Sequence, residues 1–184
     1  MLSTNNIIRN SLAVFLAAIV TPASAADGFF NSVSLEAGAG SEVHMVRLAG
    51  QSQWEKQWFK SNGSHLSGYW DLSVAYWRGT AYRNVKGDHQ DIADIGFTPV
   101  FRYQADSKQG WYAEGGIGLH LLSKRYDNDD NRLSTHFQFG DHLGAGYVAG
   151  KWDIGLKLQH FSNGGYKKPN SGANFFVLKA ARSF

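Results

Sequence analysis

His160 and Ser162 stand two residues apart, and Asn174 follows across a turn rich in glycine and asparagine. A serine hydroxyl becomes an acyl-transfer nucleophile when an imidazole takes its proton, provided the two side chains come within hydrogen-bonding reach. An amide oxygen at Asn174 can accept the imidazole Nδ1 proton and orient the ring, the task of the third member in serine and cysteine triads. The same residues admit a plainer reading. At a wet rim, His160 and Ser162 need no partners, and Asn174 serves only to bond its own turn.

The choice depends on the elements that carry them. Residues 151–162 alternate: Ile154, Leu156 and Leu158 share one face, and Asp153, Lys157 and Gln159 share the other with Gly155. A strand has period two, so His160 and Ser162 continue the apolar face, where a polar side chain is costly without a partner or a purpose. Residues 173–184 repeat the pattern, with Phe176, Leu178 and Ala180 on one side and Val177, Lys179, Ala181 and Ser183 on the other. If this last hairpin is symmetric about Lys167, Asn174 lies opposite His160 and Phe176 opposite Leu158.

The rest of the chain supplies more strands of the same kind. Of 184 residues, 14% are aromatic and 18% charged, with 21 glycines, 3 prolines and no cysteine. This is too aromatic and too weakly charged for disorder, and it excludes disulfide frameworks, thiolate metal sites and thiol nucleophiles. The net charge of +3 contains no basic block, so nucleic acid is not an expected partner. Residues 1–25 read as an export signal cleaved after Ala25. Arg9 precedes an apolar run from Leu12 to Val20 that is too short to span a bilayer, and then come Pro22 and Ala23-Ser24-Ala25.

Residues 26–184 then form one all-β domain. Eight strand-like segments are expected near 31–40, 43–54, 66–77, 91–104, 111–122, 135–148, 151–162 and 173–184. Connections at 106–110 and 149–150 are short, whereas those at 78–90, 123–134 and 163–172 are long and polar. Short turns at one end and long loops at the other is the pattern of an eight-stranded antiparallel barrel of the bacterial outer membrane. The connection around Asn62-Gly63 is longer than that pattern prefers.

A membrane barrel turns its apolar face to lipid, and a soluble barrel turns it to the lumen. Two features favour the membrane. The last strand ends in the aromatic Phe184, and Trp54, Trp77, Trp111 and Trp152 lie at strand ends, as interfacial girdles do. A non-catalytic structural or adhesion barrel and a soluble periplasmic lipid-binding barrel with an apolar lumen are the alternatives.

The run His160-Phe161-Ser162-Asn163-Gly164-Gly165-Tyr166-Lys167-Lys168-Pro169-Asn170-Ser171-Gly172 resembles the signature of the outer-membrane lipid A 3-O-deacylase (PagL-type) family. Supporting similarity lies in Ser67-Gly68-Tyr69-Trp70-Asp71, Phe97-Thr98-Pro99-Val100-Phe101 and Glu114-Gly115-Gly116-Ile117-Gly118. The resemblance implies an ester hydrolase acting on the 3-position acyl chain of lipid A, with its active site on the outside of the barrel wall. By it, Ser162 is the nucleophile, His160 the base, and Asn163 with the backbone N–H of Gly165 the oxyanion stabiliser. Asn170 matches a further motif position. No cofactor or metal is implied, and the expected partners are lipopolysaccharide and outer-membrane lipids, with a homodimer left open. One departure stands out, because the family pattern is acidic where this chain has Asn174. A neutral amide fixes a tautomer but adds no charge to stabilise an imidazolium, so either Asn174 suffices, another acid contributes, or activity is reduced; Asp141, on the neighbouring strand and with a facing that the alternation leaves open, is one candidate acid.

The final strand has to pair with the first to leave no open edge in lipid. Replacing Phe184 with Asp is therefore expected to lower the yield of heat-modifiable, protease-resistant barrel, measured on membrane fractions by gel migration with and without boiling.

Overall fold

Period-two alternation runs through the whole wall. The structure, a computed structural model, describes residues 28–184, and the expected signal segment lies outside them. Its strands are β1 (Ser32–Gly40), β2 (Val43–Gln53), β3 (Trp58–Ser61), β4 (Ser64–Gly79), β5 (Gln90–Ala105), β6 (Gly110–Leu122), β7 (Asp127–Asn128), β8 (Asn131–Arg132), β9 (Phe137–Ala149), β10 (Trp152–Ser162) and β11 (Ala173–Ser183). Eight of them, β1, β2, β4, β5, β6, β9, β10 and β11, pair antiparallel with their neighbours. The β2–β4 pairing and the β1–β11 pairing close the ring. Closure leaves no unpaired edge, the condition for a sheet to cross a bilayer.

Two pieces lie outside that count. The long connection after β2 folds back as β3, which pairs with the start of β4 through a tight Asn62–Gly63 turn, both residues at positive φ. Asn-Gly suits such a turn because neither residue is strongly penalised there. The second piece is the β7–β8 hairpin, carried by the connection between β6 and β9.

The apolar faces point outward. Ile154, Leu156 and Leu158 on β10, and Phe176 and Leu178 on β11, are exposed, whereas Lys157, Gln159 and Lys179 are buried. That parity excludes the lipid-binding barrel with an apolar lumen. In the lumen, four cations meet four carboxylates. Lys157 Nζ lies 2.7 Å from Glu36, Arg47 Nη1 lies 3.0 Å from Glu36, and Arg47 also binds Asp71. Lys179 Nζ reaches Glu114 and Asp153 at 3.2 Å each, and Arg102 Nη2 reaches the same two at 2.6 and 2.9 Å. Buried charges are tolerated only when paired in this way.

Above this network, beneath the long loops, a packed aromatic cluster plugs the lumen. Trp77, Phe161 and Phe175 pack together, with ring centroids 4.5 Å apart for Trp77–Phe161 and 4.9 Å for Trp77–Phe175. Tyr126 descends from the β6–β7 connection onto Trp77. Burial, foremost, pushes the Tyr126 phenol up to about 12, so it remains a neutral hydroxyl that accepts from Asn128 Nδ2.

The girdle assignment needs one correction. Trp111 and Trp152 are exposed on the outer wall at the short-turn end, and Trp54 clusters there with Trp58, Trp70 and Phe101. Trp77 is fully buried in the lumen. Its parity on β4 is that of Asp71 and Ser73, which are buried, whereas outward positions on the strand carry Leu72, Val74 and Tyr76.

Trp77→Ala removes the centre of the plug and is expected to destabilise the barrel by about 3–5 kcal/mol. Trp111→Ala on the outer face is expected to cost far less, and equilibrium unfolding of both variants in lipid vesicles checks the contrast.

Candidate active site on the outer wall

β10 rises to the end of the barrel that carries the long connections 80–89, 123–136 and 163–172. At that end His160 lies opposite Asn174 on β11 and opposite Asp141 on β9, and Ser162 lies opposite Phe139. All share the outward face. His160 Nδ1 and Asn174 Oδ1 are 2.6 Å apart. An amide oxygen only accepts, so Nδ1 carries the proton and Nε2 is left with its lone pair free to act as a base.

Gly172 holds the imidazole from another side. A Cβ there would stand 2.5 Å from His160 Cε1, and the residue has a φ of +86°, so both space and backbone demand glycine. From inside the barrel, Phe161 is anchored by Trp77, Phe175 and His120, which fixes the strand between His160 and Ser162.

Ser162 Oγ accepts a long hydrogen bond from the Gly164 N–H at 3.4 Å. No hydrogen bond joins Ser162 to His160 among the described residues. Such contacts are commonly loose before substrate binds. Asn163 and Gly165, the expected oxyanion donors, are engaged with each other, because the Gly165 N–H donates to Asn163 Oδ1 at 3.0 Å. The Asn163 amide donates to Lys167 O at 2.7 Å and Ser134 Oγ at 3.2 Å. Asn170 Oδ1 accepts the Asn163 N–H at 2.9 Å. In this arrangement these residues build the turn that follows Ser162, and the Gly164 N–H is the backbone donor nearest the hydroxyl.

Ser134 was not foreseen from the sequence. It belongs to the connection before β9, donates through Oγ to Lys167 O at 2.8 Å and through its N–H to Pro169 O at 3.1 Å, and so ties two loops together. An isolated serine carries no sequence signal for a contact between loops. The close approach of Gly172 was equally hidden, although a glycine ending the motif was a pointer to positive φ.

A groove of about 1020 Å³ leads away from His160 across the outer wall. It follows the cross-strand row His160–Asp141–Ile117 and the row below, Leu158–Leu143–Gly115–Phe101, and Pro99 also lines it. Its lining is mainly apolar, and Gly115 leaves its floor without a side chain. Such a site can bring an ester to Ser162 while its hydrocarbon tail lies along the wall.

A model of the family described as "Lipid A 3-O-deacylase (PagL)" matches residues 44–183. The chain belongs to that family. It is 34% identical over 170 residues to the lipid A deacylase PagL of Pseudomonas aeruginosa, covering 91% of each chain. Identity to the lipid A deacylase PagL of Bordetella bronchiseptica is 33% over 155 residues, covering 83% of each. The crystal structure of the outer membrane enzyme PagL superposes with a TM-score of 0.74 at 28% identity, covering 83% of this chain and 99% of that one. Family membership and the shared eight-stranded architecture make this chain an outer-membrane barrel.

Gly172→Ala is expected to displace the His160 ring and lower ester hydrolysis at least tenfold, with the barrel still assembled. Turnover measured beside heat-modifiable migration separates the two effects.

Proposed function

We propose that this chain hydrolyses the ester-linked acyl chain at the 3 position of lipid A, with Ser162 as nucleophile and His160 as general base. The observation that carries this reading is the His160–Asn174 hydrogen bond on the outward face, where both residues line an apolar groove and Ser162 follows His160 by two positions on the same face. Polar groups collected on a lipid-facing wall, beside a groove shaped for hydrocarbon, suit a substrate that resides in the outer leaflet.

Ser162 Oγ attacks the ester carbonyl while His160 Nε2 takes the hydroxyl proton, and the carbonyl oxygen becomes an oxyanion facing the Gly164 N–H. The tetrahedral species collapses as the sugar oxygen leaves with the proton held by His160. Water, deprotonated by His160, then cleaves the acyl-serine, and Ser162 recovers its proton as the fatty acid departs. Asn174 keeps the imidazole in the required tautomer throughout. Opening of the Asn163–Gly165 hydrogen bond would free a second N–H for the oxyanion.

Residues 1–25 are proposed to direct export and to be cleaved after Ala25, leaving the first strand at the periplasmic end. The family assignment and the outward apolar faces support a substrate reached from the membrane rather than from the lumen.

Ser162→Ala and His160→Ala are each expected to abolish deacylation, by several orders of magnitude in turnover, while the barrel assembles normally. Mass spectrometry of lipid A from cells expressing each variant checks this. Loss of the 3-position acyl chain at the parental level in the Ser162→Ala strain removes the serine from the mechanism.

A further inference from the structure

Asp141 presents a carboxylate on the outer wall, half-buried, with Ile117 as its cross-strand neighbour on β6 and His160 on β10. Its backbone oxygen accepts from Gln159 Nε2 at 3.1 Å, but its carboxylate enters no hydrogen bond or ion pair among the described residues. Every carboxylate in the lumen network described above has a cationic partner. A charged side chain on a lipid-facing wall is disfavoured and marks a functional position by default.

We propose that Asp141 supplies the negative charge that stabilises the His160 imidazolium, and that in this chain the work of one acidic triad member is divided between two strands. Asn174 on β11 holds the ring through Nδ1, and Asp141 on β9 adds the charge that an amide lacks. Directly opposed residues in an antiparallel ladder have Cβ atoms about 5 Å apart, so the carboxylate stands beside the ring without having to touch it. Its field acts between two half-buried side chains on one wall, where charges interact more strongly than in bulk solvent. The positive charge exists only after Ser162 has given up its proton, so the interaction favours the transition state over bound substrate and belongs in kcat rather than KM. Asp141 is thus a positioning and electrostatic residue acting through His160. The inference rests on the proposed serine–histidine chemistry.

Four purified, detergent-folded proteins test it: the parent, Asp141→Asn, Asn174→Glu and the double variant, each assayed for fatty-acid release from lipid A. Asp141→Asn is expected to lower kcat roughly 10- to 100-fold with KM changed by less than about twofold. The kcat of Asn174→Glu, whatever its level, is the reference against which the double variant is read. With Glu at position 174 bonding the ring and carrying charge, loss of Asp141 is expected to cost only a few-fold, and that non-additivity is the signature of a shared role. Equal losses in both backgrounds, a loss confined to KM, or full activity of Asp141→Asn overturns the inference. Asp141→Ser provides a second neutral variant should the amide disturb the wall, with heat-modifiable migration reporting assembly. A parent protein that releases no fatty acid in this assay defeats the serine–histidine reading itself, a separate failure.

Discussion

Phe161 stands between His160 and Ser162 and points the other way. Its ring lies 4.5 Å from Trp77 and meets Phe175 and His120 edge-on. Because a strand has period two, seating Phe161 in the lumen obliges both neighbours to face outward, and a slip of one residue would turn the site inward and the aromatic ring toward lipid. The orientation of the reactive groups is therefore enforced by the packing of a residue that does no chemistry.

The lower lumen supports the same wall by other means. Glu36, Asp71, Glu114 and Asp153 are matched by Arg47, Arg102, Lys157 and Lys179, and Tyr69 and Tyr112 donate to Glu114 and Asp153 at 2.9 and 2.5 Å. Paired and hydrogen-bonded charges fill the interior, so the barrel is a solid support rather than a conduit. The proposed active site on its outside gains from that rigidity, since residues held on paired strands keep their geometry better than residues on free loops.

Only one part of the site departs from the strand framework. The turn after Ser162 is made by Asn163, Gly165 and Asn170 and is held by Ser134 from a neighbouring loop. It sits at the outer rim, where the proposed hydrolysis needs both a lipid ester and water. The groove beside it lies on the hydrocarbon face. A polar turn and an apolar groove, two chemically different surfaces, thus meet at His160.

The sequence by itself determined what local alternation and turn chemistry encode: eight wall strands, their inward and outward faces on β10 and β11, and the hairpin register that puts Asn174 opposite His160. Those features depend on neighbours along one or two strands, and the motif added the family. Tertiary structure decided what depends on distant segments. Trp77 at a strand end read as an interfacial residue, yet it fills the lumen because Phe161, Phe175 and Tyr126 converge there from three other parts of the chain. Gly172 was recognisable as a motif residue, but its need to be glycine comes from the approach of the His160 ring across the hairpin. The engagement of Asn163 with Gly165 and Ser134, and the isolation of the Asp141 carboxylate beside His160, likewise arise where strands and loops remote in sequence meet. No local pattern encodes such meetings, because their energies belong to pairs of segments and not to either one alone.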